Sequence, residues 1–519
     1  MIDSPKHINL KMKLLLACIL LILFALSSNY AQSLNIIPQP VSEVTNGEKY
    51  IVHNGSNIFL SSNDNELRRI AWLFVSKLHR RTGLNIDIKT GRTNKGIILS
   101  LDRNISSEKN GYELTVDSNK IKISGKDYAG IFYGIQTLQE ILKKDTVIYF
   151  PGCKIIDYPR YQYRGFMLDA SRHFQSIEFV KRILNVMAVL KLNIFHWHLA
   201  DDQGWRIESK RYPKLNEIGS YRDSLNSVER NGYYTVEEIK NIIQYAKKLY
   251  IKIIPEIEMP GHSEAVMDSY PGLLCSTNKK GNTYCAGNIK DYKFINNVLD
   301  EVINIFDTDF IHVGGDERPK GVWGKDPACK KIMSTQHLAN EGMLQNYFID
   351  KICKYLSSKN VKTIAWAENI KGGVPVNQIV ENYYPDVSME VARDKLYTIN
   401  ANCFYTYFDY PNSVEEKKNK PDWMPVLDLG KVYSFNPTPD SLEESAKKYI
   451  IGSECALWTE LILEHDVQYQ LFPRILAFSE VVWSPVKNKN YSDFLNRVNT
   501  IKSYINSMGF EFDGEKATE

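Results

Sequence analysis

FIHVGGDE, residues 310–317, holds the pattern that decides the fold: a short apolar run of strand character, two glycines that permit a tight turn, and two carboxylates delivered side by side. An adjacent Asp316–Glu317 pair is by itself an ordinary acidic loop. Its neighbours in the chain repeat the arrangement. Working outward, short apolar strands alternate with amphipathic helices from Arg164 onward: GFMLD (165–169) before IEFVKRILNVMAVLKL, NIFHWHL (193–199) before TVEEIKNIIQYAKKLY, and IKIIPEIE (251–258) before DYKFINNVLDEVINIF. FIHVGGDE itself precedes LANEGMLQNYFIDKICKYL. TIAWAE (363–368), a weaker run QIVENYY (378–384), CFYTYFD (403–409) and ECALWTE (454–460) complete eight strand candidates. This alternation predicts a parallel (β/α)8 barrel, an α/β fold. A doubly wound sheet is the rival, but no G-x-G-x-x-G opens any of the helices.

Nearly every one of these strands ends in an acid, a histidine or an indole: Asp169, His198, Glu258, Asp316, Glu317, Glu368, Asp409 and Glu460. Any one of them could merely cap the helix that follows. Several in register describe instead the catalytic mouth at the C-terminal end of a barrel.

The stretch before the barrel reads differently. KYIVHNG, NIFLSS, GIILSLD, YELTV and KIKISG have strand character, and NELRRIAWLFVSKLHRRTG and YAGIFYGIQTLQEILKK carry apolar residues at helical spacing. We expect a smaller α+β domain over 32–157, and the barrel with a C-terminal helix over 158–519, divided near DYPRYQYRG. Residues 1–31 read as a signal peptide: Lys11 and Lys13 precede the apolar run Leu14–Leu26, too short for the ~20 residues of a membrane span, and Ala31 is a cleavage candidate. Export to the periplasm, the cell surface or the medium is the expectation. The net charge of +3 is close to neutral and no basic block stands out, so neither nucleic acid nor an anionic membrane surface is indicated as a partner. In an oxidising compartment Cys275 and Cys285, which bracket a polar loop, are a plausible disulfide, and an odd number of cysteines remains once Cys18 leaves with the leader. No C-x-x-C pair marks a structural zinc site, and no cofactor or metal is expected.

The company of the acid pair suggests carbohydrate. Trp366, Tyr383, Tyr384, Tyr405, Tyr407, Trp423 and Trp458 lie at or beyond the later strand ends. Sugars pack C–H faces on such rings while acids and an arginine take their hydroxyls. His196 and His198 share one strand face and allow a second reading, a metal-dependent amidohydrolase, but the later strands offer no convincing further ligands.

In combination these blocks resemble the family 20 glycoside hydrolases, the β-N-acetylhexosaminidases. YRGFMLDASRHF, LNIFHWHLADDQGWRIE, IPEIEMPGHSEA, HVGGDE, AWAE, YFD and ALWTE follow the family's order, and IIPQP at 36–40 resembles its N-terminal domain. The resemblance implies an exo-acting, retaining enzyme that removes terminal GlcNAc or GalNAc from a glycan or oligosaccharide, with the substrate's own acetamide attacking C1 to form an oxazolinium ion. It implies Glu317 as general acid and then base, Asp316 as the partner of the acetamide N–H, and Tyr407 as donor to its oxygen. Arg172, Asp409 and Glu460 would hold sugar hydroxyls, Trp366 and Trp458 would wall the acetamide pocket, and Asp201 with His262 would support the acid. The sequence departs from the family at Glu258, where aspartate is usual, and at the sixth strand, where tyrosines stand in place of a pocket tryptophan. A non-catalytic glycan-binding protein on the same scaffold is the alternative of a different class, and the intact acid pair argues against it.

Overall fold

The computed structural model describes residues 33–512 except 106, 223–230, 369–372 and 376; the expected signal peptide lies outside the described residues. The first domain is one mixed sheet with two helices. Its strands are β1 (Ser42–Ile51), β2 (Asn57–Leu60), β3 (Asp87–Thr90), β4 (Gly96–Leu101), β5 (Tyr112–Val116), β6 (Lys120–Gly125), β7 (Lys143–Lys144) and β8 (Ile148–Asp157), in the order β1-β8-β5-β6-β4-β2-β3 with β7 beside β8. The sequence pattern finds β2, β4, β5 and β6, but β3, DIKT, is too polar to signal itself. Helices Asn65–Thr82 and Tyr128–Glu140 begin at Asp64 and Asp127, whose carboxylates each accept a backbone N–H of the first turn.

The second domain closes eight parallel strands into a barrel: β9 (Tyr163–Asp169), β10 (Ile194–His198), β13 (Lys252–Glu256), β14 (Phe310–His312), β15 (Lys362–Trp366), β16 (Gln378–Asn382), β17 (Thr398–Asn400) and β18 (Ile450–Leu457). A small hairpin, β11 (Ala200–Asp201) with β12 (Gly204–Trp205), follows β10. The crossover helices carry strong start signals. Ser176 caps Ile177–Val189, and Thr235 with Glu238 forms a reciprocal capping box on Val236–Lys248.

The seventh strand differs from the sequence expectation. It is the three-residue TIN at 398–400, whereas Cys403–Thr406 is a helical turn started by the Asn402 side chain, which accepts from Phe404 N–H. Strand β17 is only three residues long, so no alternation develops, while the aromatic CFYTYF imitates strand composition. Tyr407 still reaches the barrel wall, through a bridge to Ala456.

Inside the barrel, an apolar plug at the N-terminal end (Tyr163, Ile194, Ile254, Ile364, Ile399) underlies a buried polar layer built from His196, Glu256, His312, Glu381 and Glu454. The two domains are joined by a buried ion pair. Asp157, at the end of β8, receives Lys191 Nζ at 2.8 Å, Tyr112 Oη at 2.7 Å, Trp483 Nε1 at 2.9 Å and Val41 N at 3.2 Å. The C-terminal helix Tyr491–Asn506 ties in as well, through Arg497, which pairs with Glu480 and donates to Ile36 O at 3.0 Å.

Candidate active site

The glycine turn after β14 sets the site. Gly314 and Gly315 have φ of +64° and +103°, and Glu317 itself is held at +42°. A side chain at 314 would run into the carboxyl of Glu258, which lies directly beneath and accepts the Gly315 N–H at 2.9 Å. Glu258, one methylene longer than the aspartate usual at that point, is therefore a buried brace under the turn. Burial first, and then the proximity of Asp316 and Glu256, push its pKa well above the ordinary carboxylate range.

The turn sends the two acids to different surroundings. Asp316 sinks toward the barrel axis, and its Oδ1 is out of solvent and without a hydrogen-bond partner among the described residues. Burial pushes its pKa up to about 6. Glu317 points outward with its side chain 68% exposed, 3.6 Å from His262 Nε2. The histidine bond holds its pKa below the usual value. The raised carboxyl, the state a proton donor needs, thus falls on Asp316 and not on Glu317. The physical reason is exposure: a rim carboxylate beside a cationic imidazole stays ionised until something covers it.

Behind Glu317 runs a continuous polar chain. His262 Nδ1 lies 3.2 Å from Asp201 Oδ1, Asp201 Oδ2 is 2.9 Å from His198 Nε2, and His198 Nδ1 is bonded to Glu256. Burial alone would raise Asp201's pKa, but Arg172, His198 and His262 together hold it far below its ordinary range. Burial likewise opposes charge on His198, and Glu256 and Asp201 outweigh it, leaving its pKa at about 9. Glu256 gathers His312 Nδ1 at 2.7 Å, Trp366 Nε1 at 2.8 Å and His196 Nε2 at 3.2 Å. Its importance is not apparent from sequence, although its place two residues before Glu258, on the same strand parity, is the signal that could have found it. Both ring nitrogens of His196 and of His198 face buried carboxylates, so these histidines serve the polar layer.

The remaining candidates line the same mouth. Arg172 lies 2.8 Å from Asp201 and 3.5 Å from Glu460, with its guanidinium 4.9 Å from the Trp458 ring. Trp366, Tyr407 and Trp458 form an aromatic wall, with Trp458 centred 6.1 Å from each of the other two. Tyr383 completes it at 5.9 Å from Trp366, and its hydroxyl donates to Glu368 at 2.8 Å. A tyrosine thus stands at the sixth-strand position. Asp409 is buried, its Oδ1 unpartnered among the described residues, and burial, followed by the proximity of Glu460, raises its pKa to about 8. Trp423 stands apart, 68% exposed and edge-on to Tyr410. All ten sequence-derived candidates therefore converge on one end of one barrel.

A barrel whose mouth carries this set can be compared with known proteins. The model of the glycosyl hydrolase family 20 catalytic domain matches residues 161–486, and that of the family's domain 2 matches 33–158. The chain belongs to glycosyl hydrolase family 20. A beta-hexosaminidase of Porphyromonas gingivalis is 33% identical over 93% of this chain, which spans 65% of that protein's length. One from Vibrio furnissii is 32% identical, covering 86% of this chain and 76% of its own. Among solved structures, a family 20 exo beta-N-acetylglucosaminidase from Vibrio harveyi, in complex with N-acetylglucosamine, superposes with a TM-score of 0.84 at 29% identity, covering 92% of this chain and 77% of that one. A beta-N-acetylhexosaminidase of Bacteroides fragilis gives 0.83 at 30% identity, over 93% and 98% of the two chains.

Proposed function

We propose that this family 20 hydrolase is an exo-acting, retaining β-N-acetylhexosaminidase that cleaves terminal GlcNAc or GalNAc by substrate-assisted catalysis. One observation carries the reading: the adjacent acids are split, Asp316 sunk beside an aromatic wall with one oxygen unpartnered, Glu317 on the rim against His262. Two equivalent carboxylates flanking a bond would suit an acid and a protein nucleophile. A deep acid beside Trp366, Tyr407 and Trp458 suits a substrate group that is planar, apolar on one side and a hydrogen-bond donor on the other, which describes an acetamide.

In this mechanism the acetamide oxygen attacks C1 while Glu317 gives its proton to the leaving oxygen. Asp316 accepts the acetamide N–H and stabilises the positive charge that grows on nitrogen as the ring closes, and Tyr407 donates to the oxygen. Glu317 then takes a proton from the water that opens the oxazolinium ion, giving overall retention. Substrate covering the rim dehydrates Glu317 and raises its pKa toward what a donor needs, while the new N–H bond favours ionised Asp316. Arg172, Asp409 and Glu460 take ring hydroxyls in this reading, and export behind the leader at 1–31 would bring the enzyme to extracytoplasmic glycans.

A panel of aryl β-glycosides tests the assignment. The N-acetylglucosaminide and N-acetylgalactosaminide should turn over with retention, read by NMR of the first-formed anomer, and the plain glucoside should not. Comparable turnover of the glucoside would eliminate the acetamide's role, whereas binding of N-acetylhexosamine without turnover would favour the glycan-binding alternative. N-terminal sequencing of the exported protein checks the leader.

A further inference from the structure

Beneath the mouth, strand β13 ends on a carboxylate whose two oxygens face two different parts of the site. Glu256 is the last residue of β13, is fully buried, and stands in register with His198 on β10 and His312 on β14. Oε1 accepts the Trp366 indole N–H at 2.8 Å and has His312 Nδ1 at 2.7 Å. Oε2 is bonded to His198 Nδ1 and has His196 Nε2 at 3.2 Å.

Each oxygen governs something beyond its own partner. Through Oε1 the carboxylate sets which way the Trp366 ring faces, because an indole has one polar atom and a buried one must find an acceptor. Through Oε2 it sets the His198 ring. The other nitrogen of that ring, Nε2, lies 2.9 Å from Asp201, and the line continues through His262 to Glu317. The His198 ring also stands edge-on to Trp458 at 5.1 Å, and His312 edge-on to Trp366 at 4.9 Å. A carboxylate that only steadied the core would have partners that stop there. The partners of Glu256 lead on to the aromatic wall and to the rim acid.

We infer that Glu256 is a positioning residue for hydrolysis, one carboxylate that holds the indole wall beside Asp316 and the polar chain behind Glu317 in a fixed relation. The inference rests on the reading of Glu317 as proton donor given above. A glutamate is required because both of its oxygens accept. A glutamine has one acceptor and must turn its NH2 toward either the Trp366 N–H or His198 Nδ1. Facing the indole, the NH2 meets another donor. Facing His198, it needs an acceptor there, which only the neutral imidazole offers. Of Arg172, His198 and His262, which together hold the Asp201 carboxyl down against burial, His198 then contributes no charge, and the support behind Glu317 weakens.

Proton donation matters most where the leaving oxygen is basic: an alkoxide needs the proton, and a dinitrophenolate leaves without it. Glu256→Gln should therefore lose at least ~10-fold more in kcat on the methyl N-acetyl-β-glucosaminide than on its 2,4-dinitrophenyl counterpart, inside the ~10²–10⁴-fold that a general acid supplies. In a His262→Asn background the same change should cost little further, since the chain is already interrupted. Glu256→Leu, which offers no acceptor to the indole, should also bind a thiazoline with the acetamide already cyclised about tenfold more weakly, whereas Glu256→Gln should bind it close to the parent. Because the Glu256 variants could fail to fold, His198→Asn serves as a second interruption and should show the same leaving-group bias with Trp366 still bonded. Equal losses on the two glycosides, or losses that multiply with His262→Asn, overturn the proposal, as does thiazoline binding by Glu256→Leu as tight as the parent's. A parent that hydrolyses the plain glucoside as fast would sink the reading of the reaction itself; a parent that requires the acetamide, with no bias in Glu256→Gln, sinks this inference alone.

Discussion

Asp157 is fully buried and Asp316 partly so, with its Oδ1 out of solvent, and the two differ in company. Asp157, at the seam between the domains, receives four donors including the buried ammonium of Lys191, so its charge is spent inside the protein. Asp316 has an oxygen with no partner among the described residues, and burial raises its pKa to about 6. A folded protein leaves few buried polar atoms unsatisfied, since each costs about 1–3 kcal/mol. The contrast separates a carboxylate that holds the structure together from one kept ready for a ligand, and it can be tested at both ends.

The largest effects belong to the mouth. Glu317→Gln removes the proton donor and should lower kcat on an aryl N-acetylglucosaminide by about 10²–10⁴-fold. Asp316→Asn should cost about 10²–10³-fold, mainly in kcat, because the stabilising charge acts as the oxazolinium forms. The same Asp316→Asn change should stabilise the fold. Its folded pKa is raised above the unfolded value near 4, so the ionised form costs stability above about pH 6, and that cost disappears as pH falls through 6 toward 4. Thermal melts should therefore show Asp316→Asn more stable than the parent at pH 7, with the gap closing near pH 4. A variant less stable at pH 7 would put Asp316 in the same class as Asp157.

Asp157→Asn should do the reverse. It leaves Lys191 charged and fully buried without its partner, a loss of about 3–5 kcal/mol, measured by denaturant unfolding. The fraction that remains folded should keep the parent's kcat, since nothing at Asp157 reaches the mouth.

How much of this contrast could be read in the chain beforehand depends on range. The mouth was legible because its residues come at strand ends in a fixed rhythm, and a carboxylate after an apolar run is a local signal. Asp157 was not, because its partners Tyr112, Lys191 and Trp483 are brought together only by the docking of two domains. The seventh strand was misplaced for a related reason: β17 is three residues long and owes its pairing to β16 and β18 rather than to its own pattern. Glu256 was hidden inside a strand, where one more acid in PEIE looks redundant until three histidines and an indole close around it.

The link between rim and interior can be measured by pH. In the substrate-free enzyme the reactive form has Asp316 ionised and Glu317 protonated, so kcat/KM should fall on the alkaline side once the pair has lost both protons, near pH 6. His262 bonded to Glu317 holds that carboxyl down. The charge of His262 also lowers Asp316's pKa, so removing the imidazole in His262→Asn raises it and the alkaline limb should move to higher pH even as the maximal rate drops. An unmoved limb would mean that the charge of His262 does not reach Asp316.

The smallest effect should come from a third kind of buried carboxyl. Glu258 braces the glycine turn through Gly315 N–H, and burial together with its two acidic neighbours favours its neutral form. A neutral Glu258 is an acceptor and not a charge, so Glu258→Gln keeps the Gly315 bond and changes little else. Rates should stay within about threefold of the parent, under 1 kcal/mol in barrier, with both limbs of the pH profile in place. If Glu258 were instead ionised, deleting its charge beside Asp316 would lower Asp316's pKa and pull the alkaline limb down. The direction of that one limb therefore decides whether the turn beneath the acid pair rests on a charge or on a hydrogen bond.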